Sequence, residues 1–249
     1  MKRAVEFYSE GFKLCGDIYL PDGLSPGEIR SGVLLCHGYT GVKDLYLPDN
    51  ARVLNQAGYA VMTFDYKGWG ESEGSRSRLA PYSRVADVQA AMTYLGMQPE
   101  VDENRIGLYG TSYGGATVSW VAAIDQRPQC IVSVVGSGHG ARWMSRVRRV
   151  DEWFDLLERS KSDREQRAKT GDSQMVERSE ILLPDRQSAD LAAAARRNNP
   201  AAVGTIPLEY VDDTVGFNPE WIVDKISPRS TIWDWPVVAR FSRSALDSS

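Results

Sequence analysis

The sequence predicts an α/β fold, a mostly parallel sheet with helices on both faces. Three observations carry that prediction. Short, almost wholly apolar runs recur (GVLLCHG at 32–38, YAVMTFD at 59–65, RIGLYG at 105–110, CIVSVVG at 130–136), the mark of strands covered on both sides. Segments with helical periodicity separate them. Strand and helix therefore alternate along the chain, which argues for parallel pairing. At 249 residues the chain is long enough for one large domain carrying an insertion.

Taken in order, residues 3–20 read as two strands around a turn at Ser9–Gly11. Val5 and Phe7 alternate with polar neighbours, as do Leu14 and Ile18 in the next run. PDGLSPGE is a loop, and the first buried strand follows it. Residues 44–57 read as a helix ending at Gly58. Beyond the second buried strand comes a glycine- and serine-rich loop, then a helix whose Val85, Val88, Met92 and Leu95 fall at spacings of three and four. YGGATVSWVAAI, 113–124, is an apolar helix between the third and fourth strands.

The pattern changes near residue 141. From there to about 203 the chain is charged and helical, with a periodic set in Val147, Val150, Trp153, Phe154 and Leu157 and no run resembling a buried strand. It is too long for a structureless loop and is expected to be a helical lid over the sheet's edge. The expected organisation is a core over 1–141, a helical cap over 142–203, and a partial return to the core over 204–249. NPEWIVDKISP, 218–228, reads as a helix leading into a strand start; ARFSRSALDSS, at the end, reads as a frayed terminus. Trp143, Trp153 and Phe154 are expected to pack the lid on the core, with an apolar acyl pocket as the alternative role.

A net charge of −4 and an isoelectric point near 5.4 leave no basic footprint, so nucleic acid is not an expected partner. The cluster Arg142, Arg146, Arg148 and Arg149 reads as a solvated helix face. Cys15, Cys36 and Cys130 are odd in number, far apart and without a CxxC pair, which suggests neither zinc nor a disulfide framework. Cys36 and Cys130 read as small buried hydrophobes, and a reducing, cytoplasmic compartment is expected. The first 20 residues alternate like strands and carry no signal-peptide pattern. No window approaches the roughly 20 apolar residues of a membrane span, so no membrane partner is expected. No metal-ligand spacing is present, and no metal or organic cofactor is expected.

The motif that carries chemistry is Gly110-Thr111-Ser112-Tyr113-Gly114. It fits G-x-S-x-G, and its context is right, with an apolar strand before it and a small-residue helix after it. Such a serine sits on a sharp strand-to-helix turn in strained dihedrals, with flanking glycines letting neighbouring backbone approach. Its hydroxyl is thereby presented at the positive end of a helix.

Two further motifs join it. CHGYTG, 36–41, leaves the first buried strand and turns at His37-Gly38; DYKGWGESEG, 65–74, leaves the second and carries Asp65, Gly68, Gly70 and Ser72. In order, spacing and residues the chain resembles the α/β-hydrolase superfamily. It looks most like the bacterial serine hydrolases of the dipeptidyl-peptidase and cocaine-esterase-like branch. The resemblance is close over about 3–140 and looser near 218–232. It implies a serine hydrolase that attacks a small-molecule carboxylic ester, or a thioester or amide, through an acyl-enzyme on Ser112. It also implies an oxyanion hole made by the backbone N–H groups of Tyr39 and Tyr113. The Tyr39 hydroxyl is a third candidate donor, set against its alternative as a loop aromatic packed beneath the lid.

The resemblance further implies an acid and then a histidine beyond the serine. His37 precedes Ser112 and is expected to hold the oxyanion loop. His139 follows Ser112 but lies just after the fourth buried strand, away from the family position. Asp234 falls early in the last predicted strand, and Asp247 has no histidine after it. Three readings stand: a hydrolase truncated or frameshifted at its C-terminal end, lacking the last core strands; a chain that recruits His139 as base, with Asp151 or another lid carboxylate as its orienter; or a non-catalytic binding module. An incomplete sheet edge would in addition favour aggregation.

Overall fold

A hairpin opens the chain. Strands β1 (Lys2–Ser9) and β2 (Phe12–Tyr19) pair antiparallel from Lys2↔Tyr19 to Ser9↔Phe12. The two residues between them, Glu10 and Gly11, both take positive φ, the turn whose twist matches a tight hairpin. This description comes from a computed structural model and covers residues 1–182 and 204–234. The predicted cap segment SADLAAAARR, the frayed terminus and Asp247 lie outside it.

Among the described residues seven strands share one sheet. After the hairpin these are β3 (Arg30–Cys36), β4 (Ala60–Phe64), β5 (Val101–Thr111), β6 (Cys130–Val134) and β9 (Ser230–Asp234), and side by side they run β1-β2-β4-β3-β5-β6-β9. From β4 outward every pairing is parallel, as the alternation predicts. Helix α1 (Leu47–Gln56) follows β3, α2 (Pro81–Gly96) follows β4, and α3 (Tyr113–Ile124) follows β5.

Successive strand residues face opposite sides, and the two faces bury different partners. Leu35 and Val61 form one small cluster with Leu47 and Ala51 of α1. Leu34, Met62 and Leu108 face the other way, into the large core built with Val88 and Met92 of α2 and Val118 and Val121 of α3. Each of these aliphatic side chains contributes roughly 1.5–3 kcal/mol by leaving water.

The lid follows β6. It comprises α4 (Gly140–Arg146), α5 (Val150–Thr170), β7 (Met175–Glu177), α6 (Arg178–Ile181), β8 (Thr205–Pro207) and α7 (Tyr210–Val215). Asp212 of α7 ties the lid internally, accepting from Ser160 Oγ at 2.6 Å and pairing with Arg164 and Arg167 of α5 at 2.5 Å each. The chain then returns through two 3-10 turns, Pro219–Trp221 and Val223–Ile226, before β9.

Several expectations are corrected. The expected cap, 142–203, does contain a strand: β7 pairs antiparallel with β8, which lies just beyond it, and Val176 and Ile206 are buried. Three-residue strands are too short to show a period. In place of one helix, two 3-10 turns, Pro219–Trp221 and Val223–Ile226, are separated at Ile222, whose φ of −134 and ψ of 0 leave the helical region. Cys36 is buried as expected, but Cys130, at the first position of β6, is exposed. Trp143 and Trp153 pack against the core, whereas Phe154 faces solvent. The arginine cluster is dispersed: Arg142 pairs with Glu220, Arg149 with Asp151, and Arg148 donates to lid carbonyls.

Candidate active site

Ser112 joins the end of β5 to the start of α3 at φ 57 and ψ −122. A non-glycine residue at positive φ costs on the order of 1–3 kcal/mol and persists only where its surroundings dictate it. Those surroundings are backbone. A Cβ on Gly110 would collide with the Gly114 carbonyl, and one on Gly114 would collide with Cys36 O and lie 2.6 Å from His37 O. A Cβ on Gly115 would lie 2.7 Å from the side-chain hydroxyl of Ser133. The Ser112 amide donates to Val134 O of β6 at 2.8 Å, while its carbonyl accepts from Gly115 N at 2.9 Å.

The bend thus leaves the side chain of Ser112 exposed, although Tyr113 beside it is buried. Ser112 Oγ makes no hydrogen bond to another described residue. The Tyr113 N–H, at the first position of α3, has no intrahelical acceptor.

The loop after β3 lies directly against this serine. A Cβ on Gly38 would sit 3.0 Å from Ser112 Cβ and 3.5 Å from its Oγ. The Gly38 amide donates to the Tyr46 hydroxyl at 3.0 Å. His37 is wholly buried, its Nδ1 2.9 Å from Gly38 O and its ring edge-on to Tyr66 at 4.7 Å. Burial, reinforced by the charge of Arg84, pulls its pKa down to about 3, so the ring is neutral. The Tyr39 amide has no hydrogen-bond partner among the described residues.

The Tyr39 side chain points elsewhere. Its ring lies edge-on to Tyr113 at 4.9 Å and tilted against Tyr210 at 5.1 Å. Its hydroxyl is hydrogen-bonded to Thr214 Oγ1 and reaches Tyr210 O at 3.5 Å. It is therefore a strut between loop and lid, not a group aimed at Ser112.

The loop after β4 braces the one after β3. Asp65 accepts from Lys43 N at 2.7 Å and from Glu71 N at 3.0 Å, while Ser72 Oγ donates to Asp65 O at 2.6 Å. Gly68 and Gly70 hold positive φ, and a Cβ at Gly70 would strike the Asp65 carboxylate. Burial raises the Asp65 pKa against the opposing pull of those two amides. The motif is structural scaffolding.

Among the described residues none of the groups considered as base and acid is hydrogen-bonded to Ser112. His139 caps α4: its Nδ1 accepts from Arg142 N at 3.4 Å and its Nε2 lies 3.9 Å from Glu220 Oε1. Asp151 pairs with Arg149 at 3.2 Å on an exposed helix start. Asp234 is better placed than its position in the sequence suggests. The backbone of Asp234, the last described residue of β9, pairs in parallel with Val134 at the edge that carries Ser112.

Two residues escaped the sequence reading. Arg84, inside the apolar stripe of α2, is almost fully buried beneath the loop after β3. Asp213 of α7 accepts from Ala80 N at 3.2 Å, at the left-handed residue that starts α2. A cation in an apolar stripe is a legible signal; Asp213 had none. Among the described residues no cluster of three or more His, Cys, Asp or Glu side chains could hold a metal ion. None of their helices is long and apolar enough to cross a membrane.

Comparison with known proteins fits this geometry. Residues 27–206 match the family model described as serine aminopeptidase, S33. The chain is 33% identical over 208 residues to an uncharacterized 31.7 kDa protein from the traX-finO intergenic region of Escherichia coli, covering 83% of this chain and 72% of that one. It is 37% identical over 132 residues to the thiohydrolase aneE of Aspergillus aculeatus, covering 52% of this chain and 40% of that one. Among solved structures it is similar to the α/β-hydrolase GrgF of a Penicillium species, with a TM-score of 0.74, 20% identity, and 93% and 78% of the two chains covered.

Proposed function

The chain belongs to the serine aminopeptidase, S33 family of α/β-hydrolases, and from that premise we propose that it cleaves a carboxylic ester or thioester through an acyl-enzyme on Ser112. One observation carries the reading: an exposed serine held at φ 57 between a central strand and a helix, by glycines that admit nothing larger. Ser112 Oγ attacks the acyl carbon, its proton passes to a base, and the alcohol or thiol leaves; water then attacks the acyl-enzyme and frees the acid. The oxyanion formed in each half is held by the Tyr39 and Tyr113 N–H groups, each contributing about 3–4 kcal/mol to lowering the barrier.

Asp234, whose backbone pairs with Val134 at the sheet edge that carries Ser112, is the acid we assign to orienting the base. The thioester alternative is supported by the thiohydrolase similarity, which extends over half of this chain. The chain spans 40% of that relative's length. Unpaired Cys15, Cys36 and Cys130 support a reducing, cytoplasmic setting.

The second reading, a pocket that binds without turnover, draws on the position of the histidines. His37 is sealed beneath its loop, and His139 faces Arg142 and Glu220. A panel of short aryl esters and acyl thioesters, run beside Ser112→Ala, separates the two. Turnover falling by about 10³-fold or more in the variant supports hydrolysis at Ser112. Equal rates in both proteins remove Ser112 from the chemistry, and an inert wild type that still binds the thioester selects the second reading.

A further inference from the structure

Arg84 is 2% exposed. Among the described residues no carboxylate lies within ion-pair distance of it. The nearest acid along its helix, Asp87, is turned to Lys67, accepting from its N–H at 2.9 Å with the Lys67 ammonium at 3.6 Å. Burying an unpaired cation is costly, and an apolar side chain of similar volume would fill a core without that cost. The charge must therefore be answered by something specific.

It is answered by the loop after β3. Arg84 Nη1 donates to Gly38 O at 3.3 Å and Nη2 donates to Tyr39 O at 2.9 Å. The guanidinium also lies over the Tyr66 ring at 4.3 Å, with Trp69 at 5.6 Å and Tyr113 at 5.9 Å. The planar fork thus spans two successive carbonyls, a geometry a lysine cannot reproduce. The Gly38–Tyr39 peptide is trans, so its N–H points opposite to its C=O. With the Gly38 carbonyl drawn inward by Arg84 and by His37, the Tyr39 N–H is turned out of the loop. The border of that loop at Gly38 is Ser112.

We propose that Arg84 is a positioning residue for chemistry at Ser112: its guanidinium pins the Gly38 and Tyr39 carbonyls inward and so presents the Tyr39 N–H to the tetrahedral adduct. The positive charge on the carbonyl end of that peptide also polarises it, making its N–H a stronger donor. The proposal rests on reading Ser112 as the nucleophile and adds to it the device that preforms one half of the oxyanion hole.

The test uses Arg84→Met and Arg84→Lys. Three readouts are taken: the rate at which a fluorophosphonate labels Ser112, kcat and KM on an aryl thioester, and a crystal structure of each variant. Positioning predicts that labelling and kcat fall by about 10²-fold in R84M and about 10-fold in R84K, with KM within about twofold of wild type. It also predicts a rotated 38–39 peptide in R84M. Should R84M fail to fold, R84K, which keeps the charge and the stem, decides by the same kcat-against-KM split. Wild-type labelling and kcat in a folded variant, or an unmoved 38–39 peptide, overturn the positioning role while leaving Ser112 as nucleophile. A wild-type protein that neither labels nor turns over overturns both.

Discussion

At Ser112 and His37 the local cost is visible and so is what imposes it. The serine's strained dihedrals are held by main-chain packing at Gly110 and Gly114 and by its main-chain bonds to Val134 and Gly115, not by its hydroxyl. His37 is the complementary case, an imidazole kept neutral by burial so that Nδ1–H can hold Gly38 O. Its folded pKa, about 3, lies below the ordinary 6.5. Its contribution to stability is therefore complete above pH 6.5 and is lost as pH falls toward 3. His37→Asn keeps an N–H donor but cannot titrate. Thermal melts should show wild-type Tm falling more steeply than that of the variant between pH 6.5 and 4; parallel curves would contradict the buried neutral ring.

Between elements, the contacts that matter join α2, the loop after β3 and α7. Tyr39 bonds to Thr214, Asp213 accepts from Ala80 N, and Arg178 Nε donates to Thr40 Oγ1 at 2.7 Å. The lid is thus anchored on the loop that borders Ser112 and on the start of the helix that carries Arg84. Asp213 is raised to about 6, first by burial and then by Glu209, against the Ala80 N–H and the charges of Arg78 and Arg167. A raised carboxyl works in the opposite sense to His37. What it contributes is present at low pH and is lost as pH rises from about 4 through 6. Asp213→Asn, which retains an acceptor for Ala80, should gain Tm relative to wild type on going from pH 4 to 7. A constant difference would show that the carboxylate is ionised throughout.

For the molecule as a whole, the sheet and the serine bend were legible because each leaves a strong local trace. Buried parallel strands read as apolar runs, and the bend reads as small residues at fixed offsets around Ser112. What was illegible depends on contacts distant in sequence. The β7 and β8 strands are three residues each and exist only through pairing with one another. The Tyr39 hydroxyl is decided by Thr214, 175 residues away. Asp234 looked premature because nothing local says that its segment pairs in register with β6, opposite Val134. Arg84 was visible as a misfit on an apolar face, but its target was not.

The central claim is that the hydroxyl of residue 112 is a nucleophile facing two backbone amides. Intact-mass and peptide mass spectrometry after exposure to a fluorophosphonate tests it most directly. One adduct per chain on the peptide containing Ser112, absent from Ser112→Ala, is the predicted result; an unmodified chain, or an adduct on any other residue, would contradict it.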